Sequence, residues 1–374
     1  MAPAAFALAC TPDSAPPPTS TVTDSAGIPV VESTSPAEQW TVGAEPVVRI
    51  GSLDGPDAFG DVRGAVFLAD GRIVVADRQT SQLHVFDADG SPTDSWGGPG
   101  EGPGEFGNLW DLSLFRGDSI AVVEILTSEI TIFDNEGRFG RSFRRTLPPT
   151  NPNEFYTHSC CSFRGTMEDG SVLVSYPDVF PHVGPDPRTN RATLMRMDGV
   201  SGQADTLGTF RGGVRGADGG AYLYGPGMRV AGAGSGFYLT EGRAFEVRRF
   251  DSAGGLEWIA RVHRARTEVT PELLEATYRH AERYRGLPAL DSLPSYSSRF
   301  LTDPAGNAWA VRAQPSYSTG RELIDVFAPD GRLLAELVIP EDLRIVAVSD
   351  SRVAGVALDP YDVEYLHVYE IDKR

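Results

Sequence analysis

The stretch Ser95–Gly107, SWGGPGEGPGEFG, decides the fold, because its glycines admit two opposite readings. Backbone N–H groups in a glycine-rich turn can cradle a phosphate, but a phosphate loop also needs a lysine and a Ser or Thr opening a helix. The chain's single lysine is Lys373, and Leu109, Trp110, Leu112, Leu114 and Phe115, which follow the glycines, read as a strand. The stretch has a copy instead. Gly51, Gly55, Pro56, Phe59 and Gly60 stand 47 residues ahead of Gly98, Gly102, Pro103, Phe106 and Gly107. A fixed period is the mark of a repeat architecture, so the glycine stretch is read as a connector between repeats.

The register holds through a whole unit. GRIVVAD (Gly71–Asp77) falls on DSIAVVE (Asp118–Glu124), and Val85-Phe86-Asp87 with Gly90 falls on Ile132-Phe133-Asp134 with Gly137. Each unit reads as four short strands, in the first about 62–68, 72–77, 82–87 and 91–96. Asp70-Gly71 and the turn Asp87–Gly90 supply the positive-φ positions that tight hairpins need. The Phe/Met-Asp signal recurs at Met197, Phe250 and Phe327 and fades to Tyr369-Glu370, which makes six units. Four-stranded units of this length predict an all-β chain, a six-bladed β-propeller. The last unit has only three strands before the chain ends, and Pro46–Ile50 stands where the register wants an outer strand. The N-terminal segment is therefore expected to close the ring and cover its edges, with Ile28–Glu32 as a further pairing. A capped solenoid is the structural alternative, but no polar cap is visible.

From about Gly43 to Ile371 these units resemble six-bladed propellers of the NHL-like class. The connector GEGPGEF (Gly100–Phe106) with DGRIVVAD (Asp70–Asp77) is similar to a large set of bacterial propeller proteins, many of them lipoproteins of unassigned role. The resemblance implies the fold and leaves the function open, since propellers host enzymes, binding modules and scaffolds.

The first residues agree with a targeting role. AAFALAC ahead of a Pro/Ser/Thr-rich run resembles the end of a lipoprotein signal, with Cys10 as the lipidated residue; the basic part of such a signal would lie upstream. The expected division is a truncated signal over 1–10, a disordered tether over 11–45 and the propeller over 46–374, in the cell envelope as a monomer. The net charge of −18 argues against a nucleic-acid partner. With no apolar run long enough to span a bilayer, membrane contact is expected only through the lipid anchor. Nothing in the sequence asks for a cofactor. Three readings of the adjacent pair Cys160-Cys161 stay open: reduced thiols, a strained vicinal disulfide, or, with His158, a soft-metal site of uncommon spacing.

The tight turns fall on one face of the disc and the long loops on the other, where function concentrates. One long excursion, 267–294, reads as a helical insertion, with Thr270 as cap, Pro271 in first position and Leu274, Tyr278 and Ala281 along one side. It either packs on the rim or forms a lid carrying His280, Tyr284 and Arg285. Near the start of the innermost strands the alignment places Arg63, Trp110 with Asp111, Cys160 to Phe163, Arg229, Arg299 and Arg344. Such arginines could hold a carboxylate or sulfate through forked hydrogen bonds, or could brace the blades by pairing with Asp77, Glu124, Asp111 or Glu241. The sequence thus favours a binding module for a protein or a small anionic ligand on the long-loop face, with Arg63, Trp110, Asp111, His158, Arg229, Arg299 and Arg344 as candidates. The resemblance keeps a metal-dependent lactonase or lyase as the alternative, for which Asp111, Asn108 and His158 are the available ligands.

Overall fold

The computed structural model describes residues 19–55, 57–124, 129–144, 162–177, 188–215, 222–315 and 321–373. Six sheets stand around an axis, the four strands of each blade antiparallel and the first of them nearest the centre. Blade one is Val62–Phe67, Ile73–Asp77, Gln82–Phe86 and Pro92–Gly97, and the 47-residue register reproduces it as blade two, Leu109–Phe115, Ser119–Glu124, Glu129–Phe133 and Phe139–Arg144. The innermost strands of blades three to six are Ser162–Thr166, Arg229–Ala233, Tyr296–Thr302 and Arg344–Val348. Each innermost strand approaches the next, and that of blade six meets that of blade one.

Burial along a blade follows from this stacking. Every residue of Ile73–Asp77 is buried, because second strands are covered on both faces, whereas in Pro92–Gly97 only Trp96 is buried. The apolar core is accordingly split into six groups, each lying between two neighbouring blades. The glycine connector delivers side chains into these groups. Phe106 packs on Phe133 at 5.8 Å between ring centroids, and its repeat partner Phe59 on Phe86 at 5.9 Å. The connector's amides serve the loop itself: Phe106 N–H donates to the Gly98 carbonyl at 2.8 Å and Gly102 N–H to Glu105 Oε2 at 2.9 Å.

Closure occurs where the register placed it. Val48–Ile50 runs antiparallel to the last strand, Glu364–Lys373, with Ile50 opposite Leu366. The N-terminal segment does more than the expected tether, and this corrects the boundary at residue 45. Trp40–Val42 pairs with the end of the same last strand, and the hairpin Ser20–Ser25/Ile28–Ser33 adds two strands to blade four, Ile28–Ser33 lying parallel to Leu256–Val262. Between these, Ala37 and Glu38 N–H donate to the Leu333 and Leu334 carbonyls of blade five. The physical reason is burial: Val30, Val31 and Trp40 are each at most 6% exposed.

The helical insertion is Pro271–His280, between blades four and five, with Thr270 Oγ1 accepting from Leu273 N–H at 3.3 Å. It is fixed through polar contacts. Buried Thr277 donates to the Leu273 carbonyl and bonds the hydroxyl of Tyr224, which precedes blade four, and Leu223 N–H donates to the Pro288 carbonyl. Arg285 is held by Glu282 at 2.6 Å, on the insertion itself.

Candidate functional site

The innermost strands begin on the long-loop face, and there the pairing with the second strands slips. In blades one, two and three the residues skipped by the register are Arg63, Trp110 and Arg164. Such bulges re-aim side chains at the rims of closed sheets. In blade five the slip lies between Tyr296 and Phe300 and so includes Arg299, whose side chain lies outside the described residues. His158, Cys160, Cys161 and Cys10 lie outside them as well.

Three of the expected arginines share one construction: each reaches across to a carbonyl on the innermost strand of the next blade. Arg344 Nη2 donates to the Val62 carbonyl at 2.6 Å, Arg63 Nε to Trp110 at 3.3 Å and Arg229 Nε to Ser297 at 3.3 Å. Their charges are treated differently. Arg344 is paired with Glu364 at 3.1 Å, while Arg63 lies 3.8 Å over the Trp110 ring and 3.4 Å from Asp61. Arg229 makes its other described bond to the Met228 carbonyl at 3.0 Å, and no carboxylate pairs with it among the described residues.

Beside it stands Arg164, the residue that sequence reasoning missed. The alignment put Cys160 to Phe163 at the start of blade three, and the bulge moves the arginine one position further on. Its Nε donates to Ser175 Oγ at 2.8 Å. Burial first, then the like charge of Arg229, pushes the Arg164 pKa down to about 10, with Asp111 pulling the other way. Burial likewise lowers that of Arg229. Asp111 stands across from Gly64, where a side-chain carbon would meet its Oδ1 at 3.1 Å, and it also accepts from Leu112 N–H at 2.9 Å.

The bracing partners expected from sequence are corrected in part. Asp77 and Glu124, one period apart, spend their carboxylates on connector amides: Asp61 N–H donates to Asp77 at 2.8 Å, and Gly107 and Asn108 N–H donate to Glu124 at 2.6 and 2.9 Å. Glu241 accepts from Arg211 N–H at 2.8 Å and lies 3.7 Å from Arg248. Among the described residues, no group of three or more His, Cys, Asp or Glu side chains is arranged to hold a metal ion.

A contrasting arginine cluster lies at the junction of blades four and five. Fully buried Asp325 accepts from Arg312 Nη2 at 2.5 Å, Arg264 Nη1 at 3.0 Å and the Tyr296 hydroxyl at 3.0 Å, and Glu336 joins both arginines. Burial and the Asp325 charge hold the Tyr296 hydroxyl far above its ordinary pKa.

Residues 61–155 match the model of the family DUF5128, described as a 6-bladed beta-propeller. The chain is a six-bladed β-propeller. No curated protein matches it. Among solved structures it is similar to a protein of Bacteroides fragilis described as exported, at 13% identity and a TM-score of 0.51, covering 92% of this chain and 99% of that one. A DUF4221 member from Bacteroides vulgatus aligns at 10% identity and a TM-score of 0.56, covering 90% and 99%. Virginiamycin B lyase from Staphylococcus aureus aligns at 8% identity and a TM-score of 0.42, covering 89% and 99%, too distant for its chemistry to bear on this chain. These likenesses speak for the fold alone.

Proposed function

We propose that the protein is a cell-envelope binding module whose long-loop face holds a small anionic ligand at the inner rim, between Arg164 and Arg229. The observation that carries this reading is that two half-buried guanidinium groups, on neighbouring innermost strands, make their described hydrogen bonds only to neutral oxygens. Burial lowers the protonation of both groups and the Arg229 charge lowers that of Arg164 further, so an anion between them would be stabilising, and a carboxylate, sulfate or phosphate matches the geometry of guanidinium donors. Asp111 lowers the local charge without cancelling it. Arg63, Trp110 and Arg344 serve in this reading as the frame that sets the rim.

The leader-like run ending at Cys10, together with the likeness to a protein described as exported, supports placement in the envelope through a lipid anchor. A chain carrying a complete signal should partition into membranes, and Cys10→Ser should release it; unchanged partitioning would remove the anchor from this account.

The binding reading is tested by a thermal-shift screen with phosphate, sulfate and citrate. Saturable stabilisation by one of them, lost in Arg229→Gln, is the expected result. Stabilisation that survives this change, or none with any of the three, would overturn it.

A further inference from the structure

Positive charge on the long-loop face continues outward from the inner rim. The two outer strands of blade three, Arg188–Met197 and Ala204–Arg215, slip in register at their long-loop end: Thr189 stands opposite Val214, but Arg191 opposite Arg211. The outermost strand thus carries one residue more there, within Gly212–Gly213, a bulge of the kind that re-aims side chains at a rim. Arg191 and Arg211 face each other across the ladder, both exposed, and neither guanidinium has a described hydrogen bond or ion pair. Like charges directly opposite in a sheet are destabilising. In a chain where Asp and Glu outnumber Lys and Arg by 51 to 33, carboxylates are the commoner neighbours, so two unanswered arginines in register point to an anion from outside the chain.

A floor of glycines joins this pair to Arg229. A side-chain carbon on Gly227 would stand 3.3 Å from Arg229 Nη1 and 3.4 Å from Gly213 Cα, and one on Gly242 would stand 3.6 Å from Gly227 N. On Gly213 it would meet nothing within 4 Å, so the bulge is open above. The segment around Gly242 borders the floor on the blade-four side. There Glu241 is engaged by Arg211 N–H at 2.8 Å and lies 3.7 Å from Arg248. Burial first, and then the Arg211 charge, lowers the Arg243 pKa; Glu241 opposes them and Arg266 adds to them. The guanidinium of Arg266 makes its described bond to a neutral oxygen, the Leu293 carbonyl, at 3.5 Å.

We infer that this face binds an acidic peptide segment, with one carboxylate between Arg164 and Arg229 and further carboxylates reaching Arg211 and Arg191. The inference rests on the rim site of the preceding section and extends it from a single anion to a chain of them. An extended peptide presents side chains on one side about every 7 Å, so one segment meets arginines spread along the floor. Its backbone can approach closely where glycines carry no side chain. A nucleic acid, the other common polyanion, is opposed by the net charge of −18.

The test is calorimetry with blocked tetraglutamate, blocked tetraglutamine and glutarate, beside phosphate, sulfate and citrate. Tetraglutamate should bind at least about tenfold more tightly than glutarate, and tetraglutamine should not bind. Arg191→Gln and Arg211→Gln should each weaken tetraglutamate by about threefold or more and leave the small anions unaffected. Neither should lower the melting temperature, because each removes one of two facing like charges. Arg229→Gln should abolish binding of peptide and small anions alike. Small anions bound with no gain for tetraglutamate, or a tetraglutamate affinity indifferent to both outer substitutions, would overturn this inference and leave the rim site standing. Absence of binding by every anion would overturn both.

Discussion

Two arginine clusters of the ring differ in how their charge is met. At the junction of blades four and five, Arg264 and Arg312 close on Asp325 and Glu336 and leave no unanswered charge in the described network. At the inner rim, on the neighbouring innermost strands of blades three and four, the described hydrogen bonds of Arg164 and Arg229 go to neutral acceptors, and Asp111 offsets the charge near Arg164 only in part. The first arrangement is how a chain spends arginine on stability, since a buried ion must be paired where it sits. The second is stable only while something else, solvent or ligand, shares the charge. Position on the ring therefore does not assign an arginine to scaffold or to site; the partner of its guanidinium does.

The largest effect bearing on this contrast is loss of the ring that holds both clusters. Deletion through residue 50 removes Val30, Val31, Trp40, Val48 and Ile50, all at most 6% exposed, each contributing about 1.5–3 kcal/mol by burial. Cooperative unfolding should be lost or shifted down by well over ten degrees, whereas deletion through residue 18 should leave it unchanged. A cut through residue 34 should fall between them, because it strips blade four of its added hairpin but leaves blade six closed. Equal melting curves for the cuts through 34 and 50 would refute the closure.

Next in size is Asp325→Ala, which leaves two arginines to share Glu336 and takes from the Tyr296 hydroxyl its described partner. Breaking a buried pair from one side costs about 3–5 kcal/mol. Denaturant unfolding should show that loss, with anion binding to the folded protein unchanged. Were Arg164→Gln to cost as much, the two clusters would be alike and the contrast would fail.

The smallest effect concerns the turn face. Desolvation raises the Asp70 and Asp169 carboxyls, but it is outweighed: Asp70 is held below its ordinary pKa by the N–H and guanidinium of Arg72, and Asp169 by Ser171 and then Arg196. A depressed folded-state pKa stabilises the fold above the unfolded value near 3.8 and loses that contribution as pH falls through the folded value. These exposed groups are worth about 0.5 kcal/mol or less each. Asp70→Asn should therefore flatten slightly the acid limb of melting temperature against pH, below about pH 4. A change confined to neutral pH would contradict the sign.

Much of the contrast's frame was legible before the structure. The 47-residue register placed the strands of blade one to within a residue or so and identified Val48–Ile50 as the closing strand, because hairpin turns and alternating apolar residues leave marks in sequence. Of the hairpin of residues 20–33, the strand at Ile28–Glu32 was legible, but its first strand and its place on blade four were not. Ser20–Ser25 is a polar edge strand, and the parallel pairing of Ile28–Ser33 with blade four joins segments more than two hundred residues apart. Arg164 was missed because a bulge shifts the side-chain register by one, and blade three departs from the period that aligned blades one and two. The partners of Arg63, Arg229 and Arg344 on the next blade include backbone carbonyls, which carry no sequence signature.

The central claim, that Arg229 belongs to a site while Arg63 belongs to the frame, is tested most directly by measuring anion affinity and melting temperature side by side on Arg63→Lys and Arg229→Lys. Both keep the charge and lose the planar fork. Arg63→Lys should lower the melting temperature, through the lost Trp110 stack and carbonyl bond, and leave the affinity for phosphate, sulfate or citrate in place. Arg229→Lys should reduce that affinity at least tenfold, about 1.4 kcal/mol, with a smaller thermal effect. The reverse pattern, or a loss of stability in both with affinity unchanged in both, would contradict it.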